Sequence, residues 1–303
     1  MSRSARHGSG ATGLSLYDRT AEAASAEVIR QYSTSFGLAS RLLGPRVRTH
    51  VRNIYALVRI ADEVVDGPAR SAGLTDNDIR ITLDALEHDT TRAVATGFST
   101  NLIVHAFART ARECLITAEL VEPFFASMRT DIFTGAHSEE SRADYIYGSA
   151  EVVGLMCLQV FFHANRPRAS EPDDALVAGA RRLGAAFQNV NFLRDLGHDS
   201  SALGRDYLGI TSTGRSRVDV LDDIDADLAA ATAVIPRLPS DSRRAVSAAH
   251  DLFAALSGRL REESTGRVRV PDAVKAGIFA RAALGGSPRH PHPHPHPHPG
   301  ASA

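Results

Sequence analysis

A charge excess is the first thing this sequence lacks: 34 Lys and Arg stand against 35 Asp and Glu, for a net charge of −1 at neutral pH. Nucleic acid and strongly acidic surfaces select for a broad basic field, so such partners are excluded and any basic site must be local. Cysteine is scarce too. Cys114 and Cys157 are the only two, and no CxxC or Cys/His spacing surrounds them. That excludes a zinc cluster or disulfide scaffold and predicts free thiols buried in apolar helices of a reducing compartment. Long apolar runs are missing: the longest mostly apolar stretch, 152–164, falls short of the ~20 residues that span a bilayer. Residues 1–13 hold Ser, Arg, Gly and Ala around no apolar centre, so they are expected to form a flexible leader and not a secretory signal. The glycines of 8–13 match a dinucleotide fingerprint by letter, but they follow no strand and open no βαβ unit. Strand-like alternation is absent throughout, which makes the expected class all-α.

What is present is a pair of acidic helical motifs. Residues three or four apart share a helix face, so Tyr55, Arg59, Asp62 and Asp66 line one side of a helix expected over 47–66. Gly67-Pro68 stops that helix. Carboxylates at a helix C-terminus oppose the macrodipole by about 0.3–1 kcal/mol each, so a compensating cation is expected there. Arg59 has an intrahelical partner within reach in Asp62 or Glu63. In the second half, Gln188, Asn191, Asp195 and Asp199 fall at i, i+3, i+7 and i+11, again on one face. Oxygen donors in two facing pairs suit a hard ion that keeps some water and bridges to phosphate, which describes Mg2+ better than Zn2+.

At these motifs the sequence resembles the phytoene/squalene synthase family, head-to-head prenyl transferases with the all-helical isoprenoid synthase fold. The resemblance also takes in Tyr32-Ser33-Thr34-Ser35-Phe36, Tyr145-x-Tyr147 followed by Val152-Val153-Gly154-Leu155-Met156, Gly204-Arg205-x-Tyr207-Leu208, and Arg267-Val268-Arg269-Val270-Pro271 with Lys275 and Arg281. These run from about 25 to 285 in the family's order. A single helical domain with a central apolar cavity is therefore expected over 14–285. A disordered His/Pro tail is expected over 286–303, where proline alternates with histidine and forbids a helix.

Within that domain one helix is expected from 15 to 43, then 47–66, 75–96 with Thr75 as N-cap, 101–120, a fresh start at Glu122-Pro123, 144–164, a second-motif helix entered at 170–174, and 221–237 and 240–263. The helix over 144–164 is hydrophobic almost all round, as a central buried element is. Glu151 within it must be paired, exposed or protonated. Asp131, after Met128-Arg129-Thr130, reads as structural or solvated.

The resemblance implies two prenyl diphosphates, farnesyl or geranylgeranyl, coupled to a C30 or C40 hydrocarbon. Asp62, Asp66, Asn191, Asp195 and Asp199 would hold Mg2+, with Mn2+ as the substitute. Arg59 and Tyr145 would act on the leaving diphosphate. Ser33, Ser35, Phe36, Tyr55, Gln188, Arg194, Arg205, Tyr207 and Arg267 would bind substrate. No nicotinamide fingerprint is present, which points away from NADPH. Ser40, one turn beyond Phe36, is small and points towards C20 chains and phytoene. The expected location is cytoplasmic, with peripheral membrane contact for product release; the oligomeric state stays open.

Three residues depart from the family pattern: His198 stands where a Glu is usual, His250 where a helix tyrosine is, and Gly209 where a proline is. They keep two other readings open, a class I terpene synthase-like enzyme that ionises and cyclises one prenyl diphosphate, and a non-catalytic helical paralogue.

Overall fold

The computed structural model describes residues 13–133, 139–166, 170–202, 208, 214–263 and 268–288, with backbone alone at 139 and 196–202. The described residues form helices and no strand: α1 (Gly13–Tyr32), α2 (Thr34–Arg41), α3 (Pro45–Val65), α4 (Pro68–Ser71), α5 (Asp76–Thr96), α6 (Leu102–Cys114), α7 (Ala118–Phe133), α8 (Glu139–Ile146), α9 (Val152–His163), α10 (Asp174–Ala202), α11 (Arg217–Val234), α12 (Ser240–Glu262) and α13 (Asp272–Ala283). A π turn, Tyr147–Glu151, joins α8 to α9, and a 3-10 turn, Ile235–Arg237, follows α11. The all-α expectation holds.

Side-chain caps place several boundaries. Thr75 and Asp78 form a reciprocal capping box at α5, as Thr75 suggested, and Ser216 with Asp219 does the same at α11. The single helix expected over 15–43 is instead two. Ser33 has an extended backbone, and its hydroxyl accepts the Phe36 N–H at 3.1 Å, so a new helix starts there. The helix expected over 101–120 also divides, because Leu115 turns left-handed at φ 58° and ends α6. α7 then starts at Ala118 and carries Pro123 inside it, where Glu122-Pro123 had suggested a start.

The core falls into two buried clusters. One gathers Leu57, Leu83, Phe107, Phe124, Phe125 and Met156 from α3, α5, α6, α7 and α9. The other gathers Val190, Leu221, Leu228, Phe253 and Leu260 from α10, α11 and α12, with Tyr145. Each large side chain so buried contributes about 1.5–3 kcal/mol. α3 and α10 make no extended contact with each other, whereas α9 and α12 each pack against both. A gap between α3 and α10 is thus walled by α9 on one side and α12 on the other.

The helix Glu140–His163, continuous through the π turn, is long and apolar enough by length and composition to cross a bilayer. Its apolar faces pack against α3, α7 and α10. At the π turn the packing is close: a Cβ on Gly148 would collide with Ser127 and the Pro123 carbonyl, and one on Gly184 would sit 2.6 Å from the Ala150 carbonyl.

Candidate active site

α3 carries its four motif residues on one side, as its periodicity requires. Gly67 at φ 140° ends the helix, and Asp66 occupies the C-cap. The compensating cation is Arg70, whose Nη1 donates to the Val65 carbonyl at 3.1 Å. Arg59 pairs with Glu63 one turn on, and its guanidinium lies 4.6 Å from the centre of the Tyr32 ring. Its Nε is buried without a hydrogen-bond partner. Burial, and then the neighbouring charge of Asp66, push the Asp62 carboxyl well above the usual carboxylate range; Asp131 and Glu63 add to the effect and Arg59 opposes it.

Of the two sequence readings of Asp131, structural or solvated, the first holds. It is 5% exposed, and the buried Tyr145 hydroxyl donates to its Oδ2 at 3.0 Å. The π turn helps to set this geometry: Ser127 on α7 donates to the Tyr145 carbonyl at 3.2 Å, at the point where the helix widens. The Tyr145 ring also lies 6.1 Å from Phe192 on α10. Tyr145 therefore links the acids of α3 and α7 to the second motif.

On α10, Gln188, Asn191, Arg194 and Asp195 are half-buried. Arg194 holds its neighbour Asp195 through two contacts, 3.1 Å and 2.5 Å. Farther from the acids, four aromatic rings meet across the gap. Phe36 on α2 lies 6.3 Å from Tyr55, 6.0 Å from Phe187 and 5.7 Å from Phe253, and Phe187 stacks on Phe253 at 3.9 Å. Because Phe36 touches both Tyr55 and Phe187, those residues share a level. A second link, from Asp62 through Asp131 and Tyr145 to Phe192, joins the helices again seven residues beyond Tyr55 and five beyond Phe187, so α3 and α10 run the same way and present their acids towards one end of the gap.

Ser33 is half-buried, caps α2 and hydrogen-bonds Tyr55, whose hydroxyl burial pushes upward. Ser35 is also half-buried. The side chains of Asp199 and His198, and all of Arg205, Tyr207, Gly209 and Arg267, lie outside the described residues. Glu151 resolves as paired, with Arg181 Nε at 2.6 Å. His250 is fully buried, its Nε2 3.0 Å from the Leu228 carbonyl and 2.9 Å from Thr232 and its Nδ1 3.3 Å from Asp251 Oδ1, and burial lowers its pKa. It serves the α11–α12 contact. Lys275 pairs with Asp272 at 3.1 Å and Arg281 with Asp251, so both of these resemblance residues have acidic partners. Cys114 and Cys157 are free thiols, and burial raises both pKa values to about 12.

The donor set fits Mg2+ or Mn2+. Carboxylates and an amide supply only oxygen, and the cluster around Asp62 carries negative charge that its neighbours resist. Among the described residues no three acids, histidines or cysteines form a ready-made cage.

A sequence model described as squalene/phytoene synthase matches residues 29–263. The 4,4'-diapophytoene synthase of Staphylococcus haemolyticus is 28% identical over 202 residues, covering 66% of this chain and 66% of that protein. The 15-cis-phytoene synthase of Paracoccus sp. is 28% identical over 281 residues, covering 84% and 88%. Phytoene synthase 3, chloroplastic, of Zea mays is 31% identical over 65% of this chain and 45% of its own length. The matched stretch thus spans just under two thirds of the staphylococcal protein and less than half of the maize protein. Among solved structures, a dehydrosqualene synthase in complex with ligand superposes with a TM-score of 0.73 at 21% identity, covering 89% of this chain and 97% of that one. A squalene synthase from Alicyclobacillus acidocaldarius gives 0.67 at 20% identity, covering 82% and 95%. These two share the isoprenoid synthase fold. The family match, which takes in both acidic motifs and the ring cluster, places this chain in the squalene/phytoene synthase family.

Proposed function

We propose that this protein joins two allylic prenyl diphosphates head to head into a C30 or C40 hydrocarbon and releases diphosphate. The observation that carries the reading is the group of acids Asp62, Asp66 and Asp131, in which burial, then the charge of Asp66, and further that of Asp131 push Asp62 towards protonation. It stands at one end of a gap whose other end is aromatic. Charge of that kind is relieved by a cation, and the apolar gap suits a hydrocarbon.

Asp62, Asp66, Asn191, Asp195 and Asp199 would hold Mg2+, which supplies Lewis-acid neutralisation of the departing diphosphate. Arg59, with an unused Nε–H, adds a fixed donor and positive charge. The Tyr145 hydroxyl, whose one proton is donated to Asp131, fixes that acid beside Asp62. Ionisation of one substrate gives an allyl cation, which the double bond of the other attacks to form a cyclopropylcarbinyl diphosphate and release a proton. A second ionisation and rearrangement yields the hydrocarbon, ending in proton loss for phytoene-type products or hydride addition from NADPH for squalene. Apolar walls keep water from quenching the cations. The product has no polar handle, so its release calls for contact with a membrane surface.

Incubating the protein with Mg2+ and C15 or C20 diphosphate, with and without NADPH, tests the reading. A C30 or C40 hydrocarbon is expected. A C15 or C20 hydrocarbon would assign cyclisation or elimination instead, and no diphosphate release would leave a non-catalytic scaffold.

A further inference from the structure

We propose that Tyr32 is a positioning residue of the active site: its ring holds the Arg59 guanidinium off Asp62 on the same helix and keeps that charge for the leaving diphosphate. This inference rests on the function proposed above.

The break between α1 and α2 puts the ring in place. Tyr32 is the last residue of α1, and the Ser33 N–H that follows it donates to the Ile29 carbonyl at 3.1 Å. Ser33 then caps α2 and hydrogen-bonds Tyr55, whose ring lies 6.3 Å from Phe36. Tyr55 and Arg59 are one turn apart on α3. The chain thus crosses α3 with Tyr32 at the Arg59 turn and with Ser33 and Phe36 at the Tyr55 turn. The Arg59 guanidinium sits 4.6 Å from the centre of the Tyr32 ring, a cation–π contact.

Arg59 needs such a hold, because Asp62, Glu63 and Asp66 all follow it within two turns. A guanidinium paired with Asp62 would neutralise a motif acid and use up its own charge before substrate arrived. Among the described residues Arg59 pairs with Glu63 instead, and its Nε is buried without a hydrogen-bond partner. On a helix Asp62 and Glu63 fall on opposite sides of Arg59, about 60° one way and about 40° the other. The pair with Glu63 therefore draws the guanidinium from Asp62, and the ring fixes it there. A ring face does this without consuming an N–H, since the five donors of arginine lie in the guanidinium plane. Tyr32 is itself 48% exposed, so its removal opens no cavity in the core.

The experiment measures diphosphate release from C15 and C20 prenyl diphosphates with Mg2+ in the wild type, Tyr32→Phe, Tyr32→Leu and Tyr32→Gln. Thermal melting confirms folding, and Tyr32→Gln decides should the leucine variant not fold. The phenylalanine variant keeps the ring and should stay within about twofold of wild type. Leucine and glutamine remove it and should lower kcat about fivefold or more while KM changes less than about twofold, because the guanidinium meets charge that develops in the transition state. In an Arg59→Gln background, Tyr32→Leu should add less than about twofold. A phenylalanine variant as slow as the leucine one, an unchanged kcat without the ring, or a loss carried by KM alone overturns the role of Tyr32 while leaving coupling intact. So does an undiminished effect of Tyr32→Leu beside Arg59→Gln. A wild type that releases diphosphate from neither substrate overturns the proposed function, and this role with it.

Discussion

Asp62 has opposite effects on stability and on the proposed chemistry. Its carboxyl is held well above the usual carboxylate range by burial and by Asp66. The native state therefore binds its proton more tightly than the unfolded chain does, where the pKa is about 3.9. Metal-free stability should fall as pH rises from that value through the native one. Asp62→Asn should flatten this segment, leaving the metal-free variant more stable than wild type at neutral pH, while turnover drops at least about 100-fold. Urea melts in chelator across a pH series, beside turnover with Mg2+, check both; a variant that gains no stability and keeps its activity contradicts the account. The face shared by Tyr55, Arg59, Asp62 and Asp66 was legible in the sequence because helical spacing alone creates it. Asp131 was not, since its partners Tyr145 and Asp62 lie on other helices.

Among the elements, the interrupted α8–α9 helix and the α1–α2 break do most to place side chains at the site. Gly148 lets the π turn lie against α7, so Gly148→Ala should cost about 1–3 kcal/mol by overpacking. It should also lower kcat more than it raises KM, because Tyr145 moves with the turn. Equal stability by urea melt would show that the close approach is not needed. Ser33→Ala removes the α2 cap and should cost about 0.5–2 kcal/mol. Urea melting reads the loss, and a variant as stable as wild type would show that the cap is not needed. Both interruptions escaped the sequence pattern because hydrophobic periodicity runs through them unbroken: the widening at Tyr147 shows only in its contact with α7, and the Ser33 cap, though local, has Phe36 and no Glu, Gln or Asp at the reciprocal position. Thr75, by contrast, announced its helix because both members of its capping box are local.

The whole molecule is two helical halves clasped around a gap. Arg46 joins them away from the site: its guanidinium holds Asp241 on α12 at 2.6 Å and 2.9 Å and donates to the carbonyls of Ala164 and Phe161 at the end of α9. Arg46→Ala leaves those groups unpaired and should cost about 3–5 kcal/mol, seen as an early, less cooperative thermal transition; a variant melting with wild type would place the clasp elsewhere. The all-α class and the paired acidic motifs were readable from spacing and resemblance. The ring cluster was not, because Phe36, Phe187 and Phe253 are distant in sequence and each reads alone as an ordinary core residue. The central claim is that the acids of α3 and α10 work on one diphosphate across the gap. A kinetic cycle of Asp62→Asn, Asp195→Asn and the double variant, assayed with Mg2+ and the preferred substrate, tests it most directly. The account predicts that each single change nearly abolishes turnover and that the double loses little more. Substantial activity in the double variant would contradict it.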